Sequence, residues 1–162
     1  MAEFPIFELP LAKGVAALGP IPGRTGAYEA DVSALLRWAP DLVISMTGVH
    51  EMDRVGASEM SKELVLANVD WRHVPITDFG IPTANTEETW ASLEAQALDV
   101  LERGGRVFVH CYGGCGRSGM AILRLMVRAG EDPNSALARL RAARPCAVET
   151  DAQFAWASGV AG

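Results

Sequence analysis

The stretch Val107-Phe108-Val109-His110-Cys111-Tyr112-Gly113-Gly114-Cys115-Gly116-Arg117-Ser118-Gly119 brings chemistry-bearing side chains together at close spacing. A β-branched and aromatic run ends at His110-Cys111. Glycines follow, and Arg117 stands six positions after the cysteine. Glycine-rich backbone between a strand and a helix start makes a nest of N–H groups, and the helix N-terminus adds partial positive charge. The Arg117 guanidinium is a planar fork able to hold two phosphate oxygens at once. Cys111 shares those donors, which favour its thiolate. A nucleophile inside an anion cradle implies phosphoryl chemistry. Cys111 would attack, and Tyr112, Gly113, Gly114, Cys115, Gly116 and Arg117 would hold the phosphate.

The run His110-Cys111, five residues, Arg117-Ser118 resembles the signature loop of the cysteine-dependent protein tyrosine phosphatase superfamily. Within it, the loop and Gly119 are most similar to the dual-specificity branch that includes the kinase-associated (cyclin-dependent kinase inhibitor 3-like) phosphatases. The resemblance implies hydrolysis of phosphate monoesters on proteins, phosphotyrosine and also phosphoserine or phosphothreonine, through a cysteinyl-phosphate intermediate. It gives Ser118 the role of hydrogen-bonding the sulfur, and His110 that of ordering the loop through its ring N–H. It also implies an acid on a loop after a strand, some 30 residues before the cysteine. Asp78, 33 positions before Cys111, occupies such a loop, punctuated by Pro75, Gly80 and Pro82. Partial burial would keep Asp78 protonated; a turn or helix-cap aspartate is the alternative. Arg141 to Gln153 is similar to the family segment whose glutamine positions the hydrolytic water, which makes Gln153 that residue unless it is a surface glutamine. No cofactor or metal is expected. Phosphate, sulfate or vanadate should occupy the loop.

These groups need a framework. Apolar runs at 4–7 and 15–18, broken by Pro10 and Gly14, read as short or edge strands. A buried-strand run follows at 41–46, another short strand at 71–74, and the β-branched and aromatic strand run at 107–110. Helical spacing marks about 28–38, 58–67, 86–103 with Thr86 as N-cap, 118–128, and a helix from Asp132-Pro133 to about Arg144. A last helical turn carries Phe154 and Trp156, and the segment 49–54 reads as polar and irregular. The expected fold is α/β: a single domain over residues 1–162, with a mostly parallel sheet of about 4–5 strands flanked by helices on both faces and the signature loop at a strand–helix junction.

Composition bounds the partners. The chain has 162 residues, 49% hydrophobic and 21% charged, which suits an ordinary globular domain. Its net charge of −6, from 14 basic and 20 acidic residues, argues against nucleic acid and against an anionic membrane surface. No run reaches the length of a membrane span. Three cysteines, two of them in one loop, do not form a disulfide framework, so a reducing cytoplasm is the expected compartment.

Other readings of the same residues are weaker. Gly114-x-Gly116-x-x-Gly119 matches a dinucleotide fingerprint, but a helix–helix junction stands where an acid-ended strand is needed. No lysine follows the last glycine, which removes a nucleotide P-loop. His110, Cys111, Cys115 and Cys146 lack zinc-site spacing, and a metal there would leave Arg117 unexplained. A rhodanese-type sulfur carrier needs no acid at Asp78. A phospho-binding module without turnover and a thiol redox sensor remain as competing functions. Cys115 would be either an oxidant-driven partner of Cys111 or a small tolerated residue, with Cys146 a further partner. Without lysines in the loop, inositol phosphates find little added charge. Arg24 is either a phosphate contact or a solvated loop residue. Glu51 and Asp53 either rim the pocket and select basic substrates or are solvated. His50 and His73, each alone, read as structural or surface residues.

Overall fold

The computed structural model describes residues 3–159. Short apolar runs become strands β1 (Phe7–Leu11), β2 (Gly14–Gly19), β3 (Leu42–Ser45), β4 (Asp70–His73) and β5 (Arg106–His110). The stretches between and after them become helices α1 (Tyr28–Trp38), α2 (Val49–Arg54), α3 (Met60–Leu66), α4 (Ala84–Glu102), α5 (Gly116–Arg128), α6 (Pro133–Ala143) and α7 (Asp151–Ser158). The strands form one sheet of order β1-β2-β5-β3-β4. β1 pairs antiparallel with β2, and every other pairing is parallel.

β5 lies at the centre, and its Val107, Phe108 and Val109 are fully buried. A parallel strand covered on both faces reads as an unbroken apolar run for this reason. On one face Leu18, Ile44 and Val109 pack with Trp90, Leu93, Leu123 and Trp156 of α4, α5 and α7. On the other, Ala17, Val43 and Phe108 pack with Val32, Leu35, Met60 and Leu64 of α1 and α3. Each buried Leu, Val or Phe contributes roughly 1.5–3 kcal/mol, so these layers hold the frame against which the loops are set. The parallel strands all end on one side, where crevices of open α/β sheets form.

Four expectations need correction. The first strand is 7–11 and not 4–7; Phe4 is instead a core residue against Phe108, 6.1 Å between ring centres. β2 is no edge strand, because β5 pairs along its other side. Residues 49–54 form helix α2, which turns Glu51 and Met52 inward. The N-cap of α4 is Thr83, in extended conformation, and Thr86 sits three residues later, accepting the Thr83 N–H at 2.7 Å.

Candidate active site

The loop from Cys111 to Arg117 joins the end of β5 to the start of α5. Its carbonyls are bound from outside. Tyr112 C=O accepts the Ile21 N–H at 3.2 Å, and Cys115 C=O accepts those of Gly119 at 2.9 Å and Val148 at 3.2 Å. Arg144, stacked 4.3 Å above the Phe7 ring, donates to Gly113 C=O at 3.0 Å and Gly114 C=O at 3.1 Å. Among the described residues, no N–H of residues 112–117 donates a hydrogen bond. Carbonyls drawn outward with amides left free is the arrangement of an anion nest. Gly114 makes it possible: its φ is +79°, and a Cβ there would sit 2.5 Å from Gly19 C.

Cys111 is buried, with its Sγ 3.2 Å from Ser118 Oγ. When the sulfur is ionised the hydroxyl must be the donor, since a thiolate has no proton to give.

Arg117 is 1% exposed. Its Nη1 donates to Glu51 Oε1 at 2.8 Å and Ile76 C=O at 2.9 Å, and its Nη2 to Glu51 Oε2 at 2.9 Å. This bidentate pair fixes the guanidinium plane. Burial alone would lower the Arg117 pKa, but the Glu51 hydrogen bonds and the negative charges of Cys111, Glu51 and Asp78 outweigh it and raise it. Burial pushes Glu51 up, yet the bonds from Arg117 and the Gly48 N–H, with the Arg117 charge, bring it below the usual carboxylate value. Nε of Arg117 is buried and has no hydrogen-bond partner among the described residues. Two nitrogens are committed to the protein, and an edge of the fork is left for an oxyanion. Glu51 therefore belongs to neither of its expected alternatives. It grips the loop arginine, while Asp53 is exposed and bonded to Ser58. Nothing in the spacing of the two signals a pair 66 positions apart.

His110 is fully buried and makes two ring contacts: Nδ1 to Cys111 C=O at 3.1 Å, and Nε2 to Ser45 Oγ at 2.6 Å. A carbonyl can only accept, so Nδ1 carries the proton. Burial, with the nearby Arg117 charge, lowers the His110 pKa to about 4, against the opposing bond to Cys111 C=O. The ring is thus neutral, Nε2 is bare, and the Ser45 hydroxyl donates to it. Ser45 Oγ in turn accepts Trp71 Nε1–H at 2.8 Å. The relay Trp71 to Ser45 to His110 to Cys111 C=O crosses three neighbouring strands, for Ser45 is the register partner of His110. Sequence reading missed Ser45, Trp71 and Arg144, because such contacts exist only once the sheet has formed. His50 is exposed; His73 bonds Thr47 C=O at 2.7 Å and stacks on Trp71.

Asp78 follows β4 on the loop 75–82, with Oδ1 3.5 Å from Arg117 Nη2 and accepting the Phe79 N–H at 3.0 Å. The expected partial burial is not met: its side chain is 58% exposed, and the next residue, Phe79, is held at φ 63°. Gln153 is no surface residue. It is fully buried, its Oε1 accepts the Glu149 and Thr150 N–H groups, and its Nε2 donates to Gly80 C=O at 3.2 Å. It ties the start of α7 to the Asp78 loop. A cleft of about 380 Å³ lies beside Arg117, lined by Gly48, His50, Glu51, Arg54, Ile76 and Asp78, among others.

Cys115 differs from both expectations. It forms a disulfide with Cys146, Cα to Cα 5.2 Å, and Cys111 is the free cysteine among the described residues. The chain thus carries a disulfide where the cysteine count had argued against one. The partners meet because Val148 N–H to Cys115 C=O and Arg144 bring the α6–α7 connection against the loop.

Residues 43–131 match the family model described as "Polymorphic toxin system, DSP-PTPase phosphatase". The chain belongs to this family. It is a phosphatase enzyme of the dual-specificity, protein tyrosine phosphatase type. Among solved structures, the fold is similar to the kinase-associated phosphatase with its catalytic cysteine replaced by serine: TM-score 0.86, 19% identity, 99% of this chain and 95% of that one. Tk-PTP in its active form matches with TM-score 0.65 and 27% identity over 86% of each chain. PTPMT1 in complex with PI(5)P matches with TM-score 0.75 and 19% identity over 94% of this chain and 93% of that one. No curated protein matches the sequence. Among the described residues, no helix of this phosphatase is long and apolar enough to cross a membrane.

Proposed function

We propose that this phosphatase hydrolyses phosphate monoesters on proteins, phosphotyrosine and also phosphoserine or phosphothreonine, through a cysteinyl-phosphate intermediate formed in one catalytic domain spanning the chain. The observation carrying the reading is the pairing of a buried cysteine with a loop whose amides and Arg117 Nε are unpartnered among the described residues. Sγ of Cys111 attacks phosphorus, the P–O ester bond breaks, and Asp78 gives its proton to the leaving oxygen. Arg117 and the amides of 112–117 hold the equatorial oxygens most tightly when charge spreads over them in the transition state. Asp78, now ionised, takes a proton from water as that water attacks phosphorus, and phosphate and the Cys111 thiolate separate. Ser118 donates to the departing sulfur. His110 keeps the Cys111 carbonyl in place and takes no proton. Gln153 holds Gly80 and has one amide hydrogen left for the attacking water. Phosphate, sulfate and vanadate fit the same nest.

A phenolic leaving group, with a pKa near 10, is easier to expel than an alkoxide, which favours tyrosine. The work of such an enzyme lies in a cytoplasm, where phosphoproteins are found. There the exposed Cys146 leaves the disulfide open to reduction. Hydrolysis of p-nitrophenyl phosphate tests the reading. Turnover should resist chelator, stop with vanadate and vanish in Cys111→Ser. Binding of phosphopeptide without turnover in the wild type would instead identify a phospho-binding module.

A further inference from the structure

Of the arginines, Arg24, Arg37 and Arg54 alone have side chains without an oxygen partner among the described residues. Two of these three meet at the signature loop. The Arg24 guanidinium lies 4.6 Å from the centre of the Tyr112 ring and that of Arg54 lies 5.9 Å from it. Tyr112 is the residue after the nucleophile. A guanidinium stacked on a ring uses its flat face, and its N–H groups in the plane stay free for a carboxylate or phosphate. The ring therefore orders two exposed cations beside the nest without neutralising them.

Their placement bears on the substrate. Arg54 lies three residues after Glu51 on α2, so both project from one helix face. Glu51 grips Arg117, and Arg54 lines the same cleft together with Asp78 and Thr77. Arg24 reaches Tyr112 from the loop after β2, where Gly23 at φ +94° would place a Cβ 2.3 Å from Val55 C=O and so allows that loop to meet the end of α2. Of the acidic rim conceivable from Glu51 and Asp53, Glu51 is paired with Arg117, while Asp53 keeps its charge, accepts a hydrogen bond from Ser58 and makes no ion pair with Arg24 or Arg54 among the described residues. On a body of net charge −6, two unneutralised cations at the catalytic mouth form a local positive field.

We infer that Arg24, Tyr112 and Arg54 form a second anion subsite that selects phosphopeptides carrying a carboxylate or a second phosphate next to the hydrolysed residue. Resting on the phosphatase reading, this deepens it by naming the substrate's flanking charge. A peptide occupant suits the acid loop, which adds exposed Phe79 and Ile81, 59% and 41% accessible, for neighbouring side chains.

The test uses full-length Cys111→Ser protein, which binds without turnover, and three phosphotyrosine peptides flanked by glutamates, by a second phosphoresidue, or by glutamines. At low salt, the anionic peptides should bind about 10-fold more tightly than the neutral one. The preference should fall to within about 2-fold in Arg24→Gln/Arg54→Gln. It should persist in Arg37→Gln, which removes an equal charge elsewhere, and shrink with added salt. Equal affinities for all three peptides, or a preference surviving the double substitution, overturn the subsite. Hydrolysis of p-nitrophenyl phosphate by the wild type tells the two failures apart. With turnover intact, only the subsite falls; with neither turnover nor peptide binding, the phosphatase reading falls and takes the subsite with it.

Discussion

Glu51 accepts two short bonds from Arg117 in a site that water barely reaches, so its value lies in geometry as much as in charge. Removing one partner of such a pair leaves the other buried and uncompensated, typically at a cost of about 3–5 kcal/mol. Glu51→Gln keeps the shape and loses the charge. It should weaken vanadate binding and lower kcat by more than tenfold while a thermal melt still shows a folded protein. Wild-type vanadate affinity in this variant would mean that Arg117 is positioned by other contacts. Asp78→Asn should slow turnover by about 10²–10⁴ and remove the limb of the pH–rate profile that belongs to the acid. An unchanged rate would put the acid elsewhere.

His110 makes a prediction about pH. Its folded pKa, about 4, lies below the unfolded value of 6.5. The unfolded chain therefore takes up this proton first as pH falls. The stability contributed by neutral His110 is complete above pH 6.5, declines between 6.5 and about 4, and is gone below that, with a total on the order of 3 kcal/mol. Glu51, held below its usual value, adds a loss at lower pH in the same direction. Denaturant melts across this window should show a shallower decline in His110→Asn than in wild type. Parallel curves would refute the neutral-ring assignment.

At the level of elements, the nest depends on contacts that arrive from far along the chain. Arg144 holds two of its carbonyls from the end of α6, and Gly119 lets Ala147 and Val148 approach α5, where a Cβ would meet Val148 N at 2.6 Å. Gly119→Ala should cost about 1–3 kcal/mol in a chemical melt, since backbone has nowhere to move. Arg144→Met should leave the melt nearer wild type but weaken vanadate, because Gly113 and Gly114 lose their outward anchors. Full vanadate affinity would remove Arg144 from the loop's support.

The same contrast explains what could be read beforehand. β3, β5 and α1 announced themselves through unbroken apolar runs or 3.6-residue spacing, and the loop through its glycines and its Cys-to-Arg interval. α2 did not. It has six residues, and its inward face consists of Met52 and a carboxylate that looks polar until Arg117 is placed opposite. Thr86 reads as a cap from sequence because the capping pair is reciprocal, and Thr83 and Thr86 both suit it. Ser45, Trp71 and Arg144 carry no local signature at all. Each acts across strand register or helix packing, which one-dimensional spacing does not encode.

For the molecule as a whole, the sheet presents the proposed catalytic residues from the ends of neighbouring parallel strands, while the last third of the chain braces them from behind. Gln153 and the Cys115–Cys146 link both belong to that brace. A thiol count distinguishes the states: one reactive group in the unfolded, unreduced protein and three after reduction. Three without reductant would show that the link does not form.

That link also determines how an oxidant damages the enzyme. A sulfenic acid on Cys111 is rescued when a neighbouring thiol condenses with it, and the nearest candidate in the loop already has its valence filled. Peroxide should therefore drive Cys111 on to the sulfinic and sulfonic acids, beyond recovery by dithiothreitol. Protein whose Cys115 has first been set free should escape, its thiol condensing with the sulfenic acid to give a reducible Cys111–Cys115 disulfide and water.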